Sequence, residues 1–199
     1  MALIFAQKQG VIKTSELIAY QGERDKIKQP IFLTMQDLEK LKCFSFNNLY
    51  LERIRDLFLF QCFTGLSYGD LWNDWEVKDT ENGNVLVGVR SKNAQSFFIP
   101  VQNIVLEILK KYSNDLPKYA NAVYNRILKE IVALCGIEKR ITTHTARKTF
   151  ATLSDADGWS RETVSKMLGH KSFKTTEMYY LGESTARIEN EMAKRKKGA

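Results

Sequence analysis

Apolar and polar positions follow two different periods along this chain, and the switches between them predict its elements. Met35, Leu38 and Leu41 recur at helical spacing behind Thr34-Met-Gln-Asp37, a predicted capping box with Asp in the place usually held by Glu. Asn47 or Asn48 is predicted to cap a second helix that runs through LYLERIRDLFLFQCF to about Phe63, with Gly65 as its stop. The second half of that helix is apolar on nearly every side, the mark of a buried central helix. Between Asp74 and Pro100 the pattern turns β-rich: VLVGV and SFFIPV flank RSKNAQ, a predicted hairpin with Lys92 at or near its turn. Helical periodicity returns at 101–112, from beyond Pro117 to about Leu134, and after Thr143, while Gly136, Gly158, Gly169 and Gly182 divide this half into short helices. The predicted fold class is mainly α with a small antiparallel β-sheet.

The two ends read differently. Residues 1–30 hold short apolar stretches, then the charged run GERDKIKQ, and end at Pro30; they are expected to be a linker or a remnant of an upstream element. Residues 31–182 form the expected main domain. Residues 183–199 are expected to be an amphipathic helix, with Ala186, Ile188 and Met192 as possible contacts, closing on the basic tail AKRKKGA.

Composition narrows the function classes. The 30 Lys and Arg outnumber 23 Asp and Glu, giving a net charge of +7, which suits a polyanionic partner without identifying one. Three cysteines, Cys43, Cys62 and Cys135, are odd in number and widely spaced, so reduced thiols are expected rather than a disulfide framework or a zinc site. No stretch approaches the roughly 20 apolar residues of a membrane helix, and the first residues lack the basic start of a signal peptide. A cytoplasmic protein with no membrane partner is expected.

Chemistry concentrates around the only two histidines, His144 and His170. In TTHTARKTF, Thr142 or Thr143 is a predicted N-cap, which places His144 in the first helical turn and Arg147 on the same face at i+3. An imidazole and a guanidinium fork at a helix N-terminus suit an anion, although that pair alone is more often a capped surface turn. In KMLGHKSFKTTEMYY, Gly169 ends a helix, His170 opens a loop, and Tyr179 and Tyr180 follow on a short segment. A tyrosine pair alone is more often packing. The combination of HxxR, GH and Tyr behind a basic hairpin is more specific than any of its parts.

The ordered set TGLSYGDL, hairpin lysine, HTARKTFAT and LGHKSFKTTEMYY resembles the catalytic domain of the tyrosine recombinase (phage-integrase-type) family, over roughly residues 30–185. The resemblance implies the mainly α recombinase catalytic fold and DNA strand transfer through a 3′-phosphotyrosyl intermediate. Tyr179 matches the nucleophile by its spacing from His170, one residue ahead of Tyr180. Arg147 matches the phosphate-holding arginine, His144 a proton-transfer group, His170 a donor to a non-bridging oxygen, and Lys92 the general acid for the leaving 5′-oxygen. No metal, cofactor or small-molecule substrate is implied. The implied partner is double-stranded DNA carrying specific sites, bound by a homotetramer in the synaptic complex. Integration or excision of a mobile element is the expected role, with Xer-like dimer resolution, a nicking-closing enzyme of topoisomerase IB type or a non-catalytic DNA-binding descendant as alternatives. Relatives usually carry an upstream DNA-binding domain that closes a clamp on the duplex, so residues 1–30 are expected to be the connection to one.

One departure matters. The family's first arginine normally follows T-G-L, where this chain has Ser67, while Asp70 fits the acid that accompanies that arginine. Loss of one guanidinium from a phosphate clamp costs several kcal/mol of transition-state stabilisation. Arg55 is the expected replacement, because a cation on a buried helix needs an anionic partner; Arg53 is a weaker choice and Arg90, on the hairpin, a third.

Overall fold

The computed structural model describes residues 30–170. Tyr179 and Tyr180, Gly182 and the predicted C-terminal helix lie outside the described residues, as does the linker up to residue 29.

Helix α1 spans Met35–Cys43 and opens on the predicted capping box: Asp37 N–H donates to Thr34 Oγ1 (3.2 Å), and Thr34 N–H donates to Asp37 Oδ2 (2.9 Å). The Lys139 ammonium adds a 2.6 Å bond to the same carboxylate oxygen. Leu38 and Leu41 are buried, but Met35 is 51% exposed, so the predicted apolar face is shorter than its pattern. Helix α2 spans Leu49–Thr64, with the Asn48 side chain accepting from Tyr50 N–H at 2.9 Å. Every residue from Ile54 to Thr64 is buried, as the all-round apolar pattern predicts. Gln61, a polar side chain inside that stretch, is satisfied by Tyr124 Oη–H (2.8 Å) and the Leu66 carbonyl (3.1 Å). Gly65 ends α2 at φ 62, and a Cβ there would stand 2.6 Å from Phe150, so the glycine permits both the turn and close packing.

A 3₁₀ turn at Asp70–Trp72 leads into an antiparallel sheet of β1 (Trp75–Thr80), β2 (Gly83–Val89) and β3 (Ser96–Pro100), in that order. Trp75 faces Gly88 across β1–β2, and Val85 faces Pro100 across β2–β3. Leu86, Phe97 and Ile99 turn into the core. The β2–β3 hairpin is the one predicted; β1 is a third strand that its sequence WEVKDT does not announce, because an exposed edge strand needs little apolar patterning. Helices α3 (Asn103–Lys111), α4 (Asn121–Leu134), α5 (Thr143–Ala156) and α6 (Arg161–Leu168) complete the described chain. α2 runs through the middle, with α1, α3, α4 and α5 packed around it, and α6 bridges α5 and β3. Cys62 and Cys135 are buried free thiols and Cys43 is an exposed one. Among the described residues no helix is long and apolar enough to cross a membrane.

Candidate active site

Three helix ends meet at Arg147, the N-terminal part of α5 and the C-termini of α2 and α6, beside one small cavity. Thr142 is the N-cap of α5, held by its N–H bond to Thr145 Oγ1 (3.0 Å), and Asn125 Oδ1 on α4 accepts from Thr143 N–H (2.8 Å). His144 therefore stands on the first turn and Arg147 one turn later on the same face. Arg147 is only 9% exposed, yet its Nη1 donates to Gly65 O (2.8 Å) and its Nη2 to Leu168 O. Both acceptors belong to helix C-termini, where unpaired carbonyls carry partial negative charge that favours a buried cation. The cavity beside it, ≈ 250 Å³, is lined by Ser67, Tyr68, Gly69, Thr143, His144 and Arg147.

Asp70 organises the opposite wall. Its Oδ2 accepts from Ser67 Oγ–H (2.7 Å) and from Arg90 Nη1 (3.0 Å); its Oδ1 accepts from Ser91 N–H (2.9 Å) and Ser91 Oγ–H (3.1 Å). Burial alone would raise its carboxyl, but the Ser91 and Ser67 bonds and the Arg90 charge outweigh that and keep it below the usual carboxylate range. Arg90, immediately after β2, also donates through Nη2 to Met167 O, and its guanidinium carbon lies 4.2 Å from the centre of the Phe97 ring. Asn93 Nδ2 donates to Gly169 O at 3.0 Å. Arg90 and Asn93 thus latch the β2–β3 turn onto the end of α6, and the exposed Lys92 sits between the two latches.

His170 follows Gly169, the left-handed cap of α6, and its N–H bonds to Ser165 O at 3.0 Å. Burial pushes its imidazole down to about 4, and the charges of Arg147, Arg90 and His144 act in the same direction. The His144 imidazole is lowered as well, first by burial, then by Lys148 and Arg147. Both histidines therefore favour the neutral form, in which one ring nitrogen donates and the other accepts.

Arg55 does not join this group. It lies ten residues before Gly65 on α2, about 15 Å along a helix rising 1.5 Å per residue. Its Nε bonds to Asp56 Oδ1 (2.8 Å) and its Nη1 to Phe44 O (2.8 Å). Asp56 in turn accepts from Lys111 Nζ (2.7 Å) and Tyr112 Oη–H (2.8 Å). The expectation that Arg55 replaces the arginine absent at Ser67 is withdrawn: a partner is indeed required for the buried charge, and the protein supplies it locally. Arg53 is exposed on the same half of α2, beside Tyr112 and Tyr119. His144, Arg147, His170 and the Lys92 turn are brought together, whereas Tyr179 lies outside the described residues. Sequence reasoning missed Ser91 and Asn93, the Gly169 carbonyl as the acceptor for Asn93, and the burial of Arg90 against Asp70. The available signal was an arginine closing an apolar strand two residues before the turn lysine.

Residues 32–187 match the model of the phage integrase family. A tyrosine recombinase of Pseudothermotoga lettingae is 29% identical over 164 residues, covering 75% of this chain and 56% of the relative. The tyrosine recombinase XerC of Thermodesulfovibrio yellowstonii is 23% identical over 198 residues, covering 88% and 65%. The chain thus spans between half and two thirds of the length of these relatives. Among solved structures, a XerA recombinase aligns with a TM-score of 0.65 at 20% identity, over 87% of this chain and 66% of that one. A lambda integrase dimer bound to a COC′ core site aligns with a TM-score of 0.60 at 19% identity, over 92% and 70%. The fold is the one these structures share.

Proposed function

The chain belongs to the phage integrase family, and we propose that it breaks and rejoins DNA strands through a covalent link to Tyr179. The observation that carries the reading is Arg147, held by the ends of α2 and α6 on the wall of a cavity that His144 shares. In the proposed reaction the Tyr179 phenol oxygen attacks the scissile phosphorus and its proton passes to His144. The bond from phosphorus to the 5′-oxygen breaks, and Lys92 protonates that oxygen, leaving a 3′-phosphotyrosyl link and a free 5′-hydroxyl. Attack by the 5′-hydroxyl of a second strand reverses the step and releases Tyr179, so the energy of the phosphodiester is kept. Arg147 binds the non-bridging oxygens, where transition-state charge is concentrated, and the N–H of a neutral His170 adds a donor.

The substrate in this reading is double-stranded DNA with specific sites, bound within a homotetramer, and the role is integration or excision of a mobile element. Residues 31–182 are the catalytic domain, residues 1–30 a connection to an upstream DNA-binding domain, and residues 183–199 a docking segment on a neighbouring protomer. Xer-like dimer resolution is the second reading, favoured by relatives named XerC. A non-catalytic DNA-binding protein is a third, favoured by Ser67 alone. The test is covalent trapping of the full-length protein on a suicide duplex carrying the junctions of its element. Wild type and Tyr180→Phe should form the adduct and Tyr179→Phe should not; an adduct on a Tyr180 peptide, or none with wild type, defeats the reading.

A further inference from the structure

We propose that Arg90 is the second arginine of the phosphate clamp, supplying from the end of β2 the charge that the chain lacks at Ser67, with Asp70 as the carboxylate that orients it. The proposal rests on the strand-transfer reading above and assigns a further catalytic residue to it. One carboxylate oxygen joins the two positions: Asp70 Oδ2 accepts from Ser67 Oγ–H at 2.7 Å and from Arg90 Nη1 at 3.0 Å. Ser67 forms the cavity wall, and the Arg90 guanidinium shares its acceptor.

The two arginines are also held as a pair. Arg90 donates to Met167 O and Arg147 to Leu168 O, successive carbonyls at the end of α6, so both cations are anchored immediately before Gly169 and His170. Their combined charge is felt at the His170 imidazole, which both depress.

Arg90 further keeps a donor in reserve. It is 4% exposed, and its Nε–H is buried with no hydrogen-bond partner among the described residues. An unpaired buried donor costs free energy that folding alone gives no reason to retain. A Cβ at Gly169 would stand 3.0 Å from Arg90 Cγ and 3.3 Å from that Nε, so only a glycine lets the end of α6 lie this close against the guanidinium. In the proposal a small shift of the Gly169 end of α6 on DNA binding turns this N–H to a phosphate oxygen, since guanidinium groups bind oxyanions through directed, charge-assisted bonds. The same side chain closes the strand leading to Lys92, so the clamp and the general acid are placed by one contact.

The test compares Asp70→Asn with Asp70→Asn/Arg90→Met in the full-length protein. The double variant removes both members of the buried pair, so no lone charge is left inside the fold. Adduct formation on the suicide duplex should be roughly 100-fold or more slower in the double variant than in Asp70→Asn, the scale set by loss of one oxyanion donor. A difference below threefold, with both proteins folded, overturns the proposal. Should the double variant not fold, Arg90→Lys decides, because it keeps the charge but not the fork: at least a tenfold loss is expected, and unchanged cleavage overturns the assignment. Inorganic sulfate titrations, followed by NMR on the only two histidines, His144 and His170, give a readout independent of DNA cleavage. Sulfate should bind about tenfold more weakly to the double variant than to Asp70→Asn, and equal affinities overturn the role of Arg90. If wild type forms no adduct, the strand-transfer reading fails, and the sulfate comparison still judges Arg90.

Discussion

Arg55 and Arg147 are equally buried, each 9% exposed, and each sits on a helix of the same core, yet they are solvated by different means. Arg55 meets a carboxylate. Asp56 neutralises it, Lys111 and Tyr112 complete the ring of contacts around Asp56, and Phe46 lies 5.7 Å from the guanidinium carbon. Arg147 is hydrogen-bonded to Gly65 O and Leu168 O, and it borders a cavity. Carbonyls at helix ends favour a guanidinium through their partial charges, and here they hold it at the cavity wall. Burial alone therefore does not identify a functional arginine; the cavity it borders does.

The sharpest way to break this comparison is to truncate both arginines. Arg147→Ala is expected to slow adduct formation by about 10³-fold, as for a lost oxyanion-stabilising donor, while the protein stays folded. Arg55→Ala leaves Asp56 buried with one fewer partner and should cost about 3 kcal/mol of stability. Its remaining cleavage should scale with the folded fraction. Urea unfolding alongside suicide-substrate trapping measures both, and a folded Arg55→Ala protein unable to cleave would erase the distinction.

A smaller effect is expected at Lys92, which sits at the latched turn and not in the core. Lys92→Ala should reduce cleavage by about 10²-fold with DNA affinity unchanged, since a general acid acts in the transition state. A 5′-bridging phosphorothiolate, whose sulfur leaves without protonation, should restore most of that rate. No rescue in a normally folded variant would place the acid elsewhere.

The smallest expected effect is in pH dependence without DNA. His170 is pushed from the usual 6.5 to about 4 in the folded state. Between those values the unfolded chain binds the proton more readily than the folded one, so the histidine makes stability fall as pH drops from about 6.5 to about 4. Sulfate in the cavity should oppose the depression and flatten the slope, and His170→Gln should remove its share. Thermal melts across that window with and without sulfate check the sign; a Tm that rises on acidification in the wild type and not in His170→Gln would contradict it.

What the sequence by itself determined is local or periodic. The Thr34–Asp37 box, the Asn48 cap, the all-round apolar second half of α2, the hairpin around Lys92 and the left-handed stops at Gly65 and Gly169 each depend on a few neighbouring residues, so each was legible. The ordered motif around His144, Arg147 and His170 was legible for the same reason, and it led to the right family. Other features depended on what lies alongside. β1 is a strand because β2 offers an edge to pair with, and Met35 stays half exposed among the described residues although its spacing fits. The placement of the arginines was least legible of all. On the sequence Arg55 looked like a cation seeking an anion and Arg90 like one more charge on a hairpin. Only the packing of α3 against α2 brought Lys111 and Tyr112 to Asp56, and only the meeting of β2, the Asp70 turn and the end of α6 enclosed Arg90. A side chain's helical or strand position follows from its own stretch of chain, but the electrostatic use of a buried charge depends on partners far away in sequence, from 20 residues for Asp70 to 77 for Met167, and folding alone selects them.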